Sequence, residues 1–175
     1  MSKAEANDQA LNILIIDDEP VVLGSLENFL KSRNHKVFTA SRGQEGIALL
    51  LRERIDVVIT DICMPAMDGF EVLQQAKQVA PEAEVIVITG HGDIDAAVRA
   101  LREGAFDFFS KPLKLRELSA SLQRTIRFHA LRLEKNRYQE RLSHLTMESS
   151  KNYGLDAIYV HDSSRRQYWR KNLHW

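Results

Sequence analysis

Cysteine, proline and glycine are all scarce in this 175-residue chain, which contains one, four and eight of them respectively. A single cysteine cannot form an internal disulfide, so a disulfide-stapled secreted fold is excluded and a reducing cytoplasm is the simplest compartment. No apolar run approaches the ~20 residues that a membrane helix needs. The N-terminus also lacks the apolar segment of a signal peptide. We therefore expect a cytoplasmic protein that does not use a membrane.

An excess of charge of one sign is also lacking, because 24 basic and 24 acidic residues cancel. This balance hides an asymmetry along the chain. Residues 1–112 carry 11 Lys and Arg against 18 Asp and Glu, whereas residues 113–175 carry 13 against 6. Two regions with different tasks would explain the asymmetry, and a solvated basic helix face would explain it equally well.

Short β-branched segments alternate with segments of helical periodicity between residues 12 and 112. The predicted strands are Ile13–Ile16, Lys36–Ala40, Val57–Thr60, Val85–Thr89 and Asp107–Ser110. The predicted helices are Pro20–Lys31, Gly43–Arg54, Gly69–Val79 and Ile94–Glu103. Strands that are apolar throughout are typical of buried parallel sheets. Five βα units with short loops therefore predict a three-layer, doubly wound α/β sandwich with right-handed crossovers.

Polar side chains stand where these predicted strands end. Asp17 and Asp18 follow the first strand, Asp61 follows the third, Thr89 closes the fourth, and Lys111 follows the fifth. The carboxyl ends of parallel strands meet at one edge of a sheet, where open α/β folds place their sites. Three carboxylates, one hydroxyl and one ammonium would then converge, which predicts a site for a metal ion and a phosphoryl group.

Four separated motifs carry a resemblance to a known family. They are Asp17-Asp18-Glu19, the run from Asp61 to Gly69, Thr89-Gly90-His91-Gly92-Asp93, and Lys111-Pro112. In this order, over residues 12–127, they resemble the receiver domain of two-component response regulators, the CheY-like family. The motif after the fourth strand is most similar to receivers of the NtrC, DctD and FixJ type. The resemblance implies a sheet with strand order 2-1-3-4-5.

The resemblance implies that Asp61 is the phosphoacceptor, which takes a phosphoryl group from a sensor histidine kinase or a histidine phosphotransfer protein. It also implies a bound Mg²⁺, a hard ion that prefers oxygen ligands. Asp18 and Asp61 would bind the ion directly, Asp17 would bind it through water, and Cys63 would use its backbone carbonyl. A thiolate is a poor ligand for Mg²⁺, so the side chain of Cys63 is not the expected donor.

The same resemblance assigns the remaining site residues. Lys111 would neutralise the phosphoryl oxygens, and Thr89 would donate its hydroxyl to them once they are attached to Asp61. Thr89 and Phe108 occupy the family's switch positions, with Phe108 where a tyrosine is common. Cys63 and His91 lie beside the expected phosphoryl group and are candidates for modulating its lifetime. His91 is equally explained as an ordinary loop residue.

Two rival functions are weighed against the phosphorylated switch, which is not an enzyme with an external product. The chain is alternatively the receiver fragment of a transcription regulator or of a larger multidomain signalling protein. No Walker motif and no helix-turn-helix follow residue 113, so direct DNA binding by this chain is not supported. A phosphoaspartate hydrolase would need a second aspartate two residues after the nucleophile, and Cys63 occupies that position.

The C-terminal third differs in composition, because Leu113 to Ser149 contain neither proline nor glycine. Leu131, Tyr138, Leu142 and Leu145 have the spacing of a short coiled coil, which leaves homodimerisation through the fifth helix and this linker open. Residues 150–175 resemble the start of a truncated PAS-like sensor domain, and a partly disordered tail is the commoner explanation. The predicted division is a flexible N-terminus (1–11), a receiver (12–128), a helical linker (129–149) and this tail (150–175).

Overall fold

The computed structural model of the protein describes residues 10–90 and 94–153, with side chains described as far as residue 144. Five strands alternate with five helices along this part of the chain. The strands are β1 (Asn12–Ile16), β2 (Lys36–Ala40), β3 (Val57–Asp61), β4 (Glu84–Thr89) and β5 (Asp107–Ser110). The helices are α1 (Pro20–Lys31), α2 (Gly43–Leu50), α3 (Gly69–Val79), α4 (Ile94–Arg102) and α5 (Leu115–Tyr153).

All five strands form one parallel sheet in the order β2-β1-β3-β4-β5. This confirms the predicted three-layer fold and the strand order that the resemblance implied. The order reverses direction beside β1, so the loops that follow β1 and β3 diverge to opposite faces of the sheet. A crevice forms where such loops part, and open α/β sheets bind their ligands there.

Hydrophobic cores cover both faces of the sheet, because successive side chains of a strand point to opposite sides. Leu14 and Val58 pack on one face with residues of α2, α3 and α4. Ile13 and Ile59 pack on the other face with residues of α1 and α5, including Leu122. Because both faces of the sheet are covered, the strands are apolar at nearly every position, as predicted for a buried parallel sheet.

Helix α2 ends four residues earlier than predicted, at Leu50 rather than at Arg54. The chain tightens after Leu50, because the backbone N–H groups of Arg52 and Glu53 both donate to the carbonyl of Leu49. The carbonyl of Arg54 accepts from the side chain of Asn12 at 2.8 Å instead of joining a helix. The residues after Leu50 thus leave the helix and make a contact with β1, which helical periodicity could not indicate.

Pro20 and Gly104 lie at the ends of two helices, and α4 ends at Arg102, one residue before the predicted Glu103. Pro20 occupies the first turn of α1, where its missing N–H is not needed. Gly104 follows α4 with φ of +94°, a conformation that strains residues with a Cβ. The N–H groups of Gly104 and Ala105 donate back to Leu101 and Ala100, which closes the helix in a Schellman arrangement.

The last helix, α5, runs for 39 residues and confirms the helix predicted from the stretch without breakers. The chain divides into two compact units, with the division between Arg127 and Phe128 inside this helix. Within the described residues, no helix combines the length and the apolar character needed to cross a membrane. Residues 154–175, on which the PAS-like interpretation of the tail falls, lie outside the described residues.

Candidate functional site

The predicted polar residues lie at the carboxyl edge of the sheet. Asp17 directly follows β1, and Asp61 and Thr89 are the last residues of the adjacent strands β3 and β4. Lys111 follows β5, and its backbone N–H donates to the carbonyl of Thr89 at 2.7 Å. The parallel sheet thus brings the loops after β1, β3 and β5 to one place.

The ammonium group of Lys111 lies at the centre of this place. Its Nζ is 2.8 Å from Oδ2 of Asp61, 3.1 Å from Oδ2 of Asp17 and 2.8 Å from Oε1 of Glu19. The side chains of Asp17 and Asp61 are only 3% and 4% exposed. One ammonium therefore neutralises part of the charge of three carboxylates, two of which are buried.

Glu19 is a member of this cluster that the sequence analysis quoted within a motif but did not assign to the site. A short turn places it there, because the backbone N–H of Glu19 donates to Oδ1 of Asp17 at 2.8 Å. Asp18, expected to bind a metal ion directly, has an exposed side chain and is not part of the cluster. The place of Glu19 next to Asp17 and Asp18 in the motif was the one available signal, and this did not indicate which acid contacts Lys111.

The loop after Asp61 is fixed by backbone contacts. The N–H of Cys63 donates to Oδ1 of Asp61 at 3.3 Å, and the N–H of Gly69 donates to the carbonyl of Ile62 at 3.0 Å. A Cβ on Gly69 would approach the carbonyl oxygen of Asp61 to 2.3 Å, so only glycine fits. Asp68 caps α3 through a capping box, which fixes the start of the helix that follows.

Two ionisable groups of the cluster have shifted pKa values. Burial raises the pKa of Asp17 above its ordinary 3.8, although hydrogen bonds from Glu19 N–H and Lys111 oppose the shift. Burial alone would lower the pKa of Lys111, but hydrogen bonds to Asp61, Glu19 and Asp17 outweigh it and raise the pKa above its ordinary value. Lys111 therefore stays charged at any physiological pH.

The chemistry of the donors fits a divalent metal ion. Carboxylate oxygens of Asp17, Glu19 and Asp61 lie within 4.8 Å of one another. Three negative charges against the one positive charge of Lys111 leave a net charge of −2, which a divalent cation would balance. Carboxylate oxygens are the ligands that hard cations such as Mg²⁺ prefer. Cys63 is exposed at this loop, and its thiol would contribute little to such a site.

The two expected switch residues lie on neighbouring strands, Thr89 at the end of β4 and Phe108 on β5 three residues before Lys111. Thr89 is buried, with 2% of its surface exposed, at the end of β4. Phe108 is half-buried and packs against the core on the α3 and α4 side of the sheet, while Phe109 packs on the opposite side. His91, the second candidate for modulating the phosphorylated lifetime, lies outside the described residues.

Comparisons with known proteins agree with this geometry. A family model described as "Response regulator receiver domain" matches residues 13–123. The chain is 39% identical over 114 residues to the DNA-binding transcriptional regulator NtrC of Salmonella typhimurium, an alignment that covers 65% of this chain and 24% of that protein. The chain thus spans about a quarter of the length of such curated relatives. These matches confirm the family resemblance.

Solved structures give the same result. A response regulator receiver domain protein from Clostridium thermocellum superposes with a TM-score of 0.66 and 38% identity, covering 69% of this chain and 98% of that one. The solution structure of a beryllofluoride-activated NtrC4 receiver domain dimer matches with a TM-score of 0.62 and 31% identity, covering 65% and 94%. The fold and the family therefore agree with each other.

Replacing Asp17 with asparagine should make the metal-free protein more stable at neutral pH. Burial penalises the ionised Asp17 carboxylate in the folded state, and a neutral amide of the same shape avoids that penalty. We expect the free energy of unfolding to rise by about 1 kcal/mol, the ordinary size of a single-site effect. Urea denaturation at pH 7 with a chelator measures it. Asp56→Asn is the control, since Asp56 accepts a backbone hydrogen bond away from the cluster and should give no gain.

The gain from Asp17→Asn should depend on pH in a defined direction. Well below pH 3.8, the ordinary pKa of an aspartate, Asp17 is protonated in both the folded and the unfolded states. As the pH rises from there through the raised pKa of the folded state, the unfolded state loses its proton first and stability falls. Parent and variant should therefore converge at low pH and separate above it. A gain that does not change with pH would contradict the assignment of the penalty to ionised Asp17.

Proposed function

The chain belongs to the response regulator receiver domain family, and we propose that Asp61 is the residue through which it receives a phosphoryl group and acts as a cytoplasmic switch. The observation that carries this proposal is the ion pair between Lys111 Nζ and Oδ2 of Asp61. It places a permanently charged ammonium beside a buried carboxylate at the carboxyl edge of the sheet. In this reading the chain assists only its own phosphorylation and dephosphorylation and has no external product.

The proposed reaction is a transfer between a phosphohistidine of a sensor kinase or phosphotransfer protein and Asp61. A carboxylate oxygen of Asp61 forms a bond to phosphorus, the bond between phosphorus and the imidazole nitrogen breaks, and the histidine leaves with the electron pair and takes a proton. Such transfers depend mainly on position and on neutralising the charge of the equatorial oxygens. The buried carboxylate, held by Cys63 N–H and Lys111, is already positioned.

Charge neutralisation is divided between Lys111 and a metal ion. Lys111 can follow the phosphoryl oxygens, because its flexible stem carries a compact charge. A Mg²⁺ ion would supply a second, double charge to the same oxygens. Asp61 and Asp17 have the buried carboxylates to hold it, and the family resemblance adds Asp18 and the carbonyl of Cys63.

The proposed switch follows from the position of Thr89. Its hydroxyl would bind the phosphoryl group at the end of β4, and Phe108 would move in the space that Thr89 leaves. The ring of Phe108 is half-buried and not fully enclosed by the core. Phosphorylation would then shift the population between two states of the α4 and β5 surface rather than create a new one.

An apolar cavity beside Lys111 supports docking of a phosphodonor protein. The cavity has a volume of about 320 Å³, lies between α1 and the loop after β5, and reaches Lys111 itself. Val21, on its rim, is 80% exposed. A phosphohistidine must come within bonding distance of Asp61, so its protein has to cover this rim. The lining residues are Val21, Val22, Ser25, Leu26, Ile88, Lys111, Pro112, Leu113 and Leu115.

The output of the switch is proposed from the relatives. NtrC is described as a DNA-binding transcriptional regulator, and the chain matches about a quarter of it. This favours the alternative that the chain is the receiver part of a transcription regulator over a solitary receiver. Contact with DNA would then belong to another part of such a protein.

Dimerisation through the helix after Phe128 is a further part of the proposal. Leu131 and Tyr138 are 64% and 59% exposed on α5, and their spacing of seven residues puts them on one face of the helix. An exposed apolar face at heptad spacing is typical of a helix that pairs with a second copy of itself. The matched NtrC4 receiver structure is described as a dimer.

Incubation with acetyl phosphate and Mg²⁺ should add one phosphate to the full chain, as measured by intact mass. Asp61→Asn should abolish the addition, because the amide is not a nucleophile. Glu117→Gln is the matched control, since Glu117 is an exposed acid of α5 that pairs with Lys114 and does not belong to the cluster. Phosphate on the Asp61 variant, or on a second residue of the parent, would contradict the assignment.

Val21→Asp should reduce phosphotransfer from a histidine kinase at least tenfold while leaving labelling by acetyl phosphate nearly unchanged. The introduced charge would have to be buried against an apolar partner surface, which costs more than 1.4 kcal/mol, the equivalent of a factor of ten. Leu51→Asp is the control, because Leu51 is 68% exposed after α2. Equal loss with both donors would mean that the substitution damages the site instead of docking.

The double variant Leu131→Glu and Tyr138→Glu should be monomeric where the parent dimerises. Sedimentation velocity over a range of concentrations measures the change. Leu133→Glu is the control, because Leu133 is 51% exposed on the same helix but points away from that face. A monomeric parent, or equal dissociation of the control, would refute pairing through this face.

A further inference from the structure

Glu19 is the carboxylate of the cluster to which the proposed reaction gives no task. Its side chain is 59% exposed, whereas those of Asp17 and Asp61 are almost fully buried. Within the described residues, the hydrogen bond and ion pair that its side chain makes are with Lys111. Asp17, by contrast, also accepts the backbone N–H of Glu19. Of the three carboxylates, Glu19 is the one that can turn away into solvent without breaking other contacts.

The ammonium of Lys111 has no donor to spare. It carries three N–H groups, and three carboxylate oxygens lie at 2.8, 2.8 and 3.1 Å from Nζ. A phosphoryl group on Asp61 brings further oxygens that require a donor from Lys111. One present partner has to release the ammonium, and the exposed partner is the least costly to release because water solvates its carboxylate.

We propose that Glu19 is a displaceable counter-ion of Lys111, which holds the lysine in the resting state and is released when a phosphoryl group occupies the site. This inference rests on the proposed function of Asp61 as phosphoacceptor. Glu19 is then a positioning residue that acts through Lys111. Because its contact exists only in the resting state, Glu19 opposes occupation of the site by a phosphoryl group.

The direction in which loss of the Glu19 carboxylate changes phosphorylation distinguishes a counter-ion of Lys111 from a metal ligand. The three carboxylates lie close enough together to hold one ion. If Glu19 held Mg²⁺, it would favour phosphorylation, and a variant without the Glu19 carboxylate would be phosphorylated less readily. A Glu19 that competes for Lys111 has the opposite effect. An exposed ion pair changes an equilibrium by a factor of about five at most, and this sets the size of the gain expected when Glu19 is neutralised.

Beryllofluoride, a stable stand-in for the phosphoryl group, provides the equilibrium measurement. The full chain is titrated with beryllofluoride at saturating Mg²⁺, and the bound signal is followed by fluorine NMR. Glu19→Gln should bind up to about fivefold more tightly than the parent, with an unchanged half-saturating Mg²⁺ concentration. Glu117→Gln removes the charge of a comparable exposed ion pair with Lys114 and should bind like the parent.

A shorter acid tests whether contact or mere repulsion is responsible. Glu19→Asp keeps the charge but has a side chain one methylene shorter, so it should not reach Lys111 and should bind as tightly as Glu19→Gln. Binding of Glu19→Asp like the parent would overturn the counter-ion role in favour of repulsion. Unchanged binding by Glu19→Gln, or a raised Mg²⁺ requirement, would also overturn it.

Failure of the proposed function gives a different result. If the parent and Glu117→Gln bind no beryllofluoride and acetyl phosphate does not label Asp61, the phosphoacceptor assignment fails, and this inference fails with it. If both bind and are labelled while Glu19→Gln gains nothing, only the role of Glu19 is refuted. Thermal melting of each variant confirms that the comparison is made between folded proteins.

Discussion

Three loops of this fold meet at one ammonium group. Lys111 forms ion pairs with carboxylates from the loop after β1 and from the end of β3, and two of these carboxylates are buried. Without that positive charge, the carboxylates would repel one another in a region from which water is largely excluded. The parallel sheet makes this meeting unavoidable, because it brings the carboxyl ends of all its strands to one edge. The ion pairs are therefore what makes the arrangement tolerable in the resting protein.

The same ion pairs bear on both the stability of the fold and the ability of the site to bind a cation. Lys111 balances only one of three negative charges, and its contacts do not offset the burial that raises the pKa of Asp17. A site that is incompletely neutralised in isolation gains free energy when it binds a cation or a group that brings a cation with it. The stability lost at Asp17 would be the counterpart of the affinity that we propose for a metal ion. Removing the excess charge would favour the fold at the expense of the chemistry.

Sequence patterns predicted most of the fold because apolar strands and helical periods are local signals. The strands agree with the prediction to within one residue, and the polar residues that end them lie at one edge, as parallel pairing requires. The predicted end of α2 was wrong: the helix stops at Leu50, and Arg54 contacts Asn12 of a distant strand. Glu19 was quoted in a motif but not assigned, since its contact with Lys111 joins residues 92 apart. Contacts of this kind have no periodicity to reveal them.

Lys111 also joins the site to the rest of the sheet. Its backbone N–H donates to the carbonyl of Thr89, which joins the lysine to the end of β4 as well as to β5. At the other end of β5, Asp107 accepts hydrogen bonds from Ser121 and Arg124 of α5. A change at Asp61 therefore has a continuous set of contacts through Lys111 and β5 to α5. The contacts between Asp107 and α5 are made by side chains, so they are separate from the backbone hydrogen bonds that hold the helix together. A switch built on a rigid sheet would need contacts of this kind, because they can rearrange while the helix stays intact.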